Sequence, residues 1–155
     1  MTPEQFADLI SSVTRQIAGK PLDKPLESEL NASFPADGEV FESIFSACRQ
    51  GVEDGWMCNR EAGGVKFGRV VKAGDDTHGF SVDVVEMDSI RGPHHRHPNG
   101  EIDMIMPLTE DAKFDGRGQG WLVYGPDSAH SPTVSDGKAL VLYLLPQGAI
   151  DFSKT

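Results

Sequence analysis

From Trp56 onward the apolar residues come in short runs closed by glycine-rich turn signals, and that punctuation admits little besides an antiparallel β fold. The spacing predicts strands over 56–59, 66–71, 80–87, 94–97, 101–107, 120–124, 131–135 and 139–145. Between them stand Ala62-Gly63-Gly64, Ala73-Gly74-Asp75-Asp76, Pro98-Asn99-Gly100, Asp115-Gly116-Arg117-Gly118, Gly125-Pro126-Asp127 and Asp136-Gly137. Val141-Leu142-Tyr143-Leu144-Leu145 is apolar almost throughout, as suits a strand covered on both faces. The first third reads differently. Thr2-Pro3-Glu4-Gln5 is a capped helix start, followed by Phe6, Leu9, Ile10, Val13 and Ile17 at helical spacing. A second helix is expected within 22–34. A third begins at Asp37-Gly38-Glu39 and carries Phe41, Ile44, Phe45 and Cys48 on one face. Helices followed by strands, without alternation, predict a mainly β, α+β chain: an antiparallel sandwich or small barrel (56–155) behind an N-terminal helical segment (1–55). At 155 residues the two parts are expected to form one compact domain.

Within the β region, one stretch concentrates chemistry. Gly92-Pro93-His94-His95-Arg96-His97-Pro98-Asn99-Gly100-Glu101 holds three of the five histidines and an acid. Residues two apart on a strand share a face, so His95 and His97 point together while His94 and Arg96 point away. The Pro98-Asn99-Gly100 turn then returns the chain with Glu101 at the head of the next strand. His130 follows Gly125-Pro126 on a neighbouring segment. Three imidazoles and a carboxylate make a donor set suited to Fe, Mn, Zn or Ni rather than Ca or Mg.

A formal net charge of -10 sets the surface against nucleic acid and anionic membrane, neither of which is an expected partner. Cys48 and Cys58 have no metal-type spacing and read as buried free thiols of a cytoplasmic protein. No signal or membrane-spanning segment is visible. Exposed sheet edges make a homodimer plausible.

His95-x-His97-x3-Glu101, with Gly120, Pro126 and His130 downstream, resembles the two motifs of the cupin superfamily. That resemblance implies a small antiparallel barrel and a metal held by His95, His97, Glu101 and His130. The chain departs from the pattern at Ser89 and Leu108, where glycine is usual, and its second motif is one residue shorter. Over nearly its full length the chain is also similar to the 4-hydroxylaminobenzoate lyase family. The similarity is carried by 55–64, 77–83, 92–103 and 139–146. It implies a lyase converting 4-hydroxylaminobenzoate to 3,4-dihydroxybenzoate with release of ammonia.

Set against the residues, that chemistry needs a proton or Lewis acid on the departing hydroxyl and an activated water. His95, His97, Glu101, His130 and Asp103 are the candidates. A small aromatic acid needs a guanidinium for its carboxylate, for which Arg60 and Arg69 are preferred to Arg96. Trp121, Tyr124 and Phe80 are candidates to pack on its ring, and His78 is a loop residue. A metal-dependent oxygenase or isomerase acting on another small acid, and a non-catalytic small-molecule binder, remain open on the residues alone. No organic cofactor is expected.

Overall fold

A computed structural model describes residues 1–152 of the chain. Three helices come first: α1 (Pro3–Ile17), α2 (Lys24–Ser33) and α3 (Glu39–Asp54). Thr2 and Gln5 form the expected reciprocal cap on α1, Asp23 caps α2, and Gly55 ends α3 in a left-handed conformation.

Nine strands follow: β1 (Arg60–Ala62), β2 (Val65–Val71), β3 (Phe80–Arg91), β4 (His95–His97), β5 (Glu101–Pro107), β6 (Lys113–Phe114), β7 (Gly120–Tyr124), β8 (Ser128–His130) and β9 (Thr133–Pro146). All pairings are antiparallel. The main sheet runs β1-β2-β3-β9-β5-β7, with β6 also on β9, and β4 and β8 form a separate two-stranded ladder. This is the mainly β, α+β class with antiparallel strands expected from the sequence. Its form is a jelly-roll-like sheet whose hydrogen-bonded ladder does not close into a barrel.

Period-two alternation sorts the strands onto two faces. Val82, Val84, Ile102, Met104, Trp121, Val123, Leu140, Leu142 and Leu144 join Phe6, Ile10, Leu30, Phe41 and Ile44 of the helices in one core. The alternate residues, among them Val85, Met87, Ile105, Leu122, Val141 and Tyr143, form a second core on the other face. Both faces of β9 are therefore covered, as its apolar text predicts.

Three strand expectations are corrected. Residues 56–59 form no strand, because the Trp56 and Met57 amides fold back onto the Gly51 carbonyl and Cys58 is left-handed (φ 53°). The runs 131–135 and 139–145 are one strand. Asp136 and Gly137 make a bulge instead of a hairpin turn, since β3 is long enough to pair along the whole of β9. Opposite that bulge Ser89 is itself left-handed (φ 43°), and its Oγ accepts from the Gly137 amide at 3.0 Å. A glycine's freedom is thus replaced by a side-chain bond. The third correction adds β1, β6 and β8, each too short to announce itself. Cys48 and Cys58 are free and buried, as expected. No helix among the described residues is long and apolar enough to cross a membrane.

β7 is a sheet edge, and α2 closes it with side chains. The Asn31 amide donates to the Trp121 carbonyl and accepts from the Trp121 amide, both at 3.0 Å. One turn earlier, Glu27 accepts from the Val123 amide at 2.9 Å. An i,i+4 pair on one helix thereby stands in for a neighbouring strand. Replacing Asn31→Ala strands two backbone groups at this contact. It should lower unfolding free energy by roughly 1–3 kcal/mol in urea denaturation, and an unchanged midpoint would show that water satisfies the edge equally well.

Candidate metal centre

β4 carries His95 and His97 on its inner face. Arg96, between them, points outward to ion pairs with Asp127 and Asp151. The turn after β4 is closed by the Gly100 amide donating to the His97 carbonyl at 3.2 Å. Gly100 has φ 89°, and a Cβ there would meet the Leu22 side chain at 2.7 Å and the Tyr124 carbonyl at 2.8 Å, so only glycine fits. Glu101 and Asp103 then share the inward face of β5. β8 pairs with β4 so that His130 lies directly across from His95 and Ser128 across from His97. The shortened second motif still delivers His130, because this ladder fixes its place.

His95, His97, Glu101 and Asp103 are buried, and His130 is nearly so. The donor atoms of His95, His97, Glu101 and His130 all lie within 4.8 Å of one another. Nε2 of His95, His97 and His130 stand 3.5, 3.2 and 3.5 Å from the Glu101 carboxylate, and Nε2 of His95 and His130 are 3.1 Å apart.

The outer nitrogens decide which way the lone pairs point. Nδ1 of His95 faces the Pro93 carbonyl at 3.3 Å, and Nδ1 of His130 faces the Asp115 carboxylate at 2.6 Å. Both partners only accept, so each Nδ1 carries the hydrogen. Ser128 gives its own hydroxyl proton to the Gly125 carbonyl at 2.6 Å and so accepts from His97 Nδ1 at 2.9 Å. The Nε2 lone pairs of His95 and His97 therefore aim inward at one carboxylate, and His130 brings its Nε2 to the same point. His97 Nε2 and both Glu101 oxygens have no hydrogen-bond partner among the described residues. Inward lone pairs this close repel unless a cation lies among them. An N3O donor set with every outer nitrogen anchored fits a divalent first-row metal.

The electrostatics carry the same message. Burial opposes ionisation of Glu101, but the imidazoles of His130, His95 and His97, with Asp103, hold its pKa well below the ordinary range. Asp103 is driven the other way, well above the usual carboxylate value, by burial and by the Glu101 charge, which favours its protonated form. Burial disfavours charge on His130, yet its bond to Asp115 and the nearby Glu101 carry it up to about 9 in the metal-free protein. Asp115 also accepts from the Tyr124 hydroxyl at 2.5 Å and the Thr133 amide at 3.0 Å, tying β7, β8 and β9 together behind the site.

A cavity of about 680 Å³ opens beside His95. Val65, Phe67, Val85, Met87, Tyr143 and Ile150 give it an apolar wall, and Arg60 and Arg69 stand on its rim. Arg69 is already neutralised by Asp83 at 2.8 Å, whereas Arg60 has no hydrogen bond or ion pair among the described residues. Tyr124 sits against the cluster, its ring centroid 4.6 Å from that of His130 and 5.5 Å from that of His97.

The structure does not bring the other aromatic candidates to this place. Trp121 lies on the opposite face of β7, in the helix-side core, with Nε1 donating to the Phe34 carbonyl. Phe80 is in the same core, His94 is exposed, and His78 faces Thr14 of α1. Two residues of this region escape a reading of the sequence. Asp115 looks there like a turn residue and nothing else. Tyr143 is hidden inside an apolar run, where the one signal was a hydroxyl among the aliphatic side chains of Val141, Leu142, Leu144 and Leu145.

Residues 8–152 match the model of the family described as PnbB, 4-hydroxylaminobenzoate lyase. The chain is 32% identical to the 4-hydroxylaminobenzoate lyase of Nocardioides sp. (strain LMS-CY), over 99% of this chain and 96% of that protein. It is 31% identical to the 4-hydroxylaminobenzoate lyase of Pseudomonas putida, over 96% and 94%. Among solved structures, it is similar to an oxalate oxidase in complex with the substrate analogue glycolate (21% identity, TM-score 0.44, 59% of this chain and 56% of that one).

A metal entering this site must displace the proton held on His130. Because that proton binds below about pH 9, lower pH favours the protonated, non-ligating form and weakens metal binding. From this group alone, zinc affinity should fall roughly tenfold per pH unit below 9. Competition titration against a chelator from pH 6 to 8 checks the slope, and a flat profile would show that His130 is not displaced.

Proposed function

The chain belongs to the 4-hydroxylaminobenzoate lyase family, and from that premise we propose that it converts 4-hydroxylaminobenzoate and water to 3,4-dihydroxybenzoate and ammonia. The observation that carries the reading is the adjoining of three features. These are a buried polar cluster, an apolar cavity wide enough for a benzene ring, and an unpaired guanidinium at the rim. The atom balance is redox-neutral. The N–O bond breaks and its oxygen leaves as water; a second water adds to the ring carbon beside nitrogen. A third hydrolyses the resulting imine, releasing ammonia, and loss of the ring proton restores aromaticity.

Arg60 holds the carboxylate, since Arg69 is occupied by Asp83. Val65, Phe67, Val85, Met87 and Ile150 enclose the ring and keep bulk water from the cleaving bond. The hydroxylamino end then lies toward His95 and Tyr143. Burial, chiefly, and the nearby carboxylates push the Tyr143 pKa well above its usual value, so its hydroxyl remains a neutral donor for the departing oxygen. Asp103 faces Tyr143 in the β5–β9 register and stores a proton that the leaving hydroxyl requires. A divalent metal held by His95, His97, Glu101 and His130 would supply Lewis acidity and lower the pKa of a water nearby. Tyr124 and Asp115 keep His130 in place.

The test is incubation of the purified protein with 4-hydroxylaminobenzoate. Ammonia and 3,4-dihydroxybenzoate should appear one to one, with no oxygen consumed, and His95→Ala should abolish both. Formation of 4-amino-3-hydroxybenzoate without ammonia, or oxygen uptake, would overturn the reading in favour of a mutase or an oxygenase. Arg60→Ala should raise KM about tenfold with kcat little changed, the loss of one charge-assisted carboxylate contact. Steady-state kinetics should find Arg69→Ala milder, and equal effects would reassign the carboxylate.

A further inference from the structure

The segment after β9 is held across the cavity like a strap. Gln147 (φ 58°) and Gly148 (φ 69°) turn the chain sharply, and the Gly148 carbonyl accepts from Arg69 at 3.3 Å. Asp151 then pairs with Arg96 through two main-chain bonds, the Asp151 amide donating at 2.9 Å and the Arg96 amide donating back at 2.7 Å. Its carboxylate also meets the Arg96 guanidinium at 3.5 Å. The strap thus adds a bridge to β4, the strand that presents His95 and His97. Between and beyond these anchors, Ile150 and Phe152 face the cavity.

Phe152 is out of keeping with its surroundings. It is 54% exposed, while the other phenylalanines are buried or half-buried, yet its ring centroid lies only 5.3 Å from that of the buried His95. An apolar ring left open at the edge of a cavity, beside the chemistry and on an anchored backbone, is a surface awaiting a partner ring. Resting on the reading of the cavity as a benzoate site, we propose that Phe152 is a specificity-determining residue. Its ring contacts the face or edge of the bound aromatic ring, selecting aromatic acids over aliphatic acids of equal charge. The strap's anchors on Arg69 and Arg96 hold it there.

Phe152→Ala, Phe152→Leu and Phe152→Tyr, each in the full chain, test this by calorimetric binding of two probes, 4-aminobenzoate and cyclohexanecarboxylate. The leucine and alanine variants should weaken 4-aminobenzoate about tenfold while moving cyclohexanecarboxylate less than about threefold, and tyrosine should restore wild-type selectivity. A general loosening of the wall would weaken both acids alike, and that result overturns the proposal, as does unchanged 4-aminobenzoate binding in the leucine variant. If wild-type protein binds neither probe, the benzoate reading of the cavity falls, and the strap proposal with it. Because Phe152 is half open to solvent, melting temperatures should stay close to wild type, and a large drop would mean that it serves the fold instead.

Discussion

A carboxylate buried with no hydrogen-bond donor is among the most unfavourable arrangements a fold can contain, and Glu101 is one. Everything around it compensates. Three Nε2 atoms close in to 3.2–3.5 Å, burial and the Glu101 charge raise the Asp103 pKa and so oppose a second charge, and Asp115 supports the protonated state of His130. In the metal-free protein the proton on His130 is the cation that the cluster needs, and a divalent metal would serve the same purpose more completely.

The main sheet separates stability from chemistry. Its helix-side face is packed against α1, α2 and α3; its other face holds Glu101 and Asp103, against which the β4–β8 ladder brings the imidazoles. Alternation along β5 shows the division in miniature. Ile102, Met104 and Met106 go to the helices, while Glu101 and Asp103 go to the site. Helix α2 further protects the arrangement by satisfying the open edge of β7, one strand away from Glu101. Rigid packing on one side lets the other tolerate charges that a thinner domain would have to solvate.

Much of this was legible in the residues because it depends on local geometry. Helical spacing located α1 and α3, apolar runs located the central strands, and the two-residue period placed His95 with His97 and turned Arg96 away. What misled was also local. A left-handed Cys58 dissolved an expected strand, and an Asp136-Gly137 turn signal proved to be a bulge, because pairing with a long β3 outweighed the turn preference. Trp121 was a candidate to pack on the substrate ring, and its backbone register sent it to the helices instead.

By itself, then, the sequence determined the mainly β class of fold, from its run of short punctuated strands, and the face on which each β4 and β5 side chain lies, since that follows from the two-residue period along a strand. Tertiary structure alone decided that His130 meets His95, that Asp115 supports His130, that Tyr143 faces the cavity, that Asp83 occupies Arg69 and leaves Arg60 free, and that Phe152 returns to His95. Each of these joins segments distant along the chain. Their contact depends on ladder register and on the path of the strap after β9, which no short-range pattern encodes.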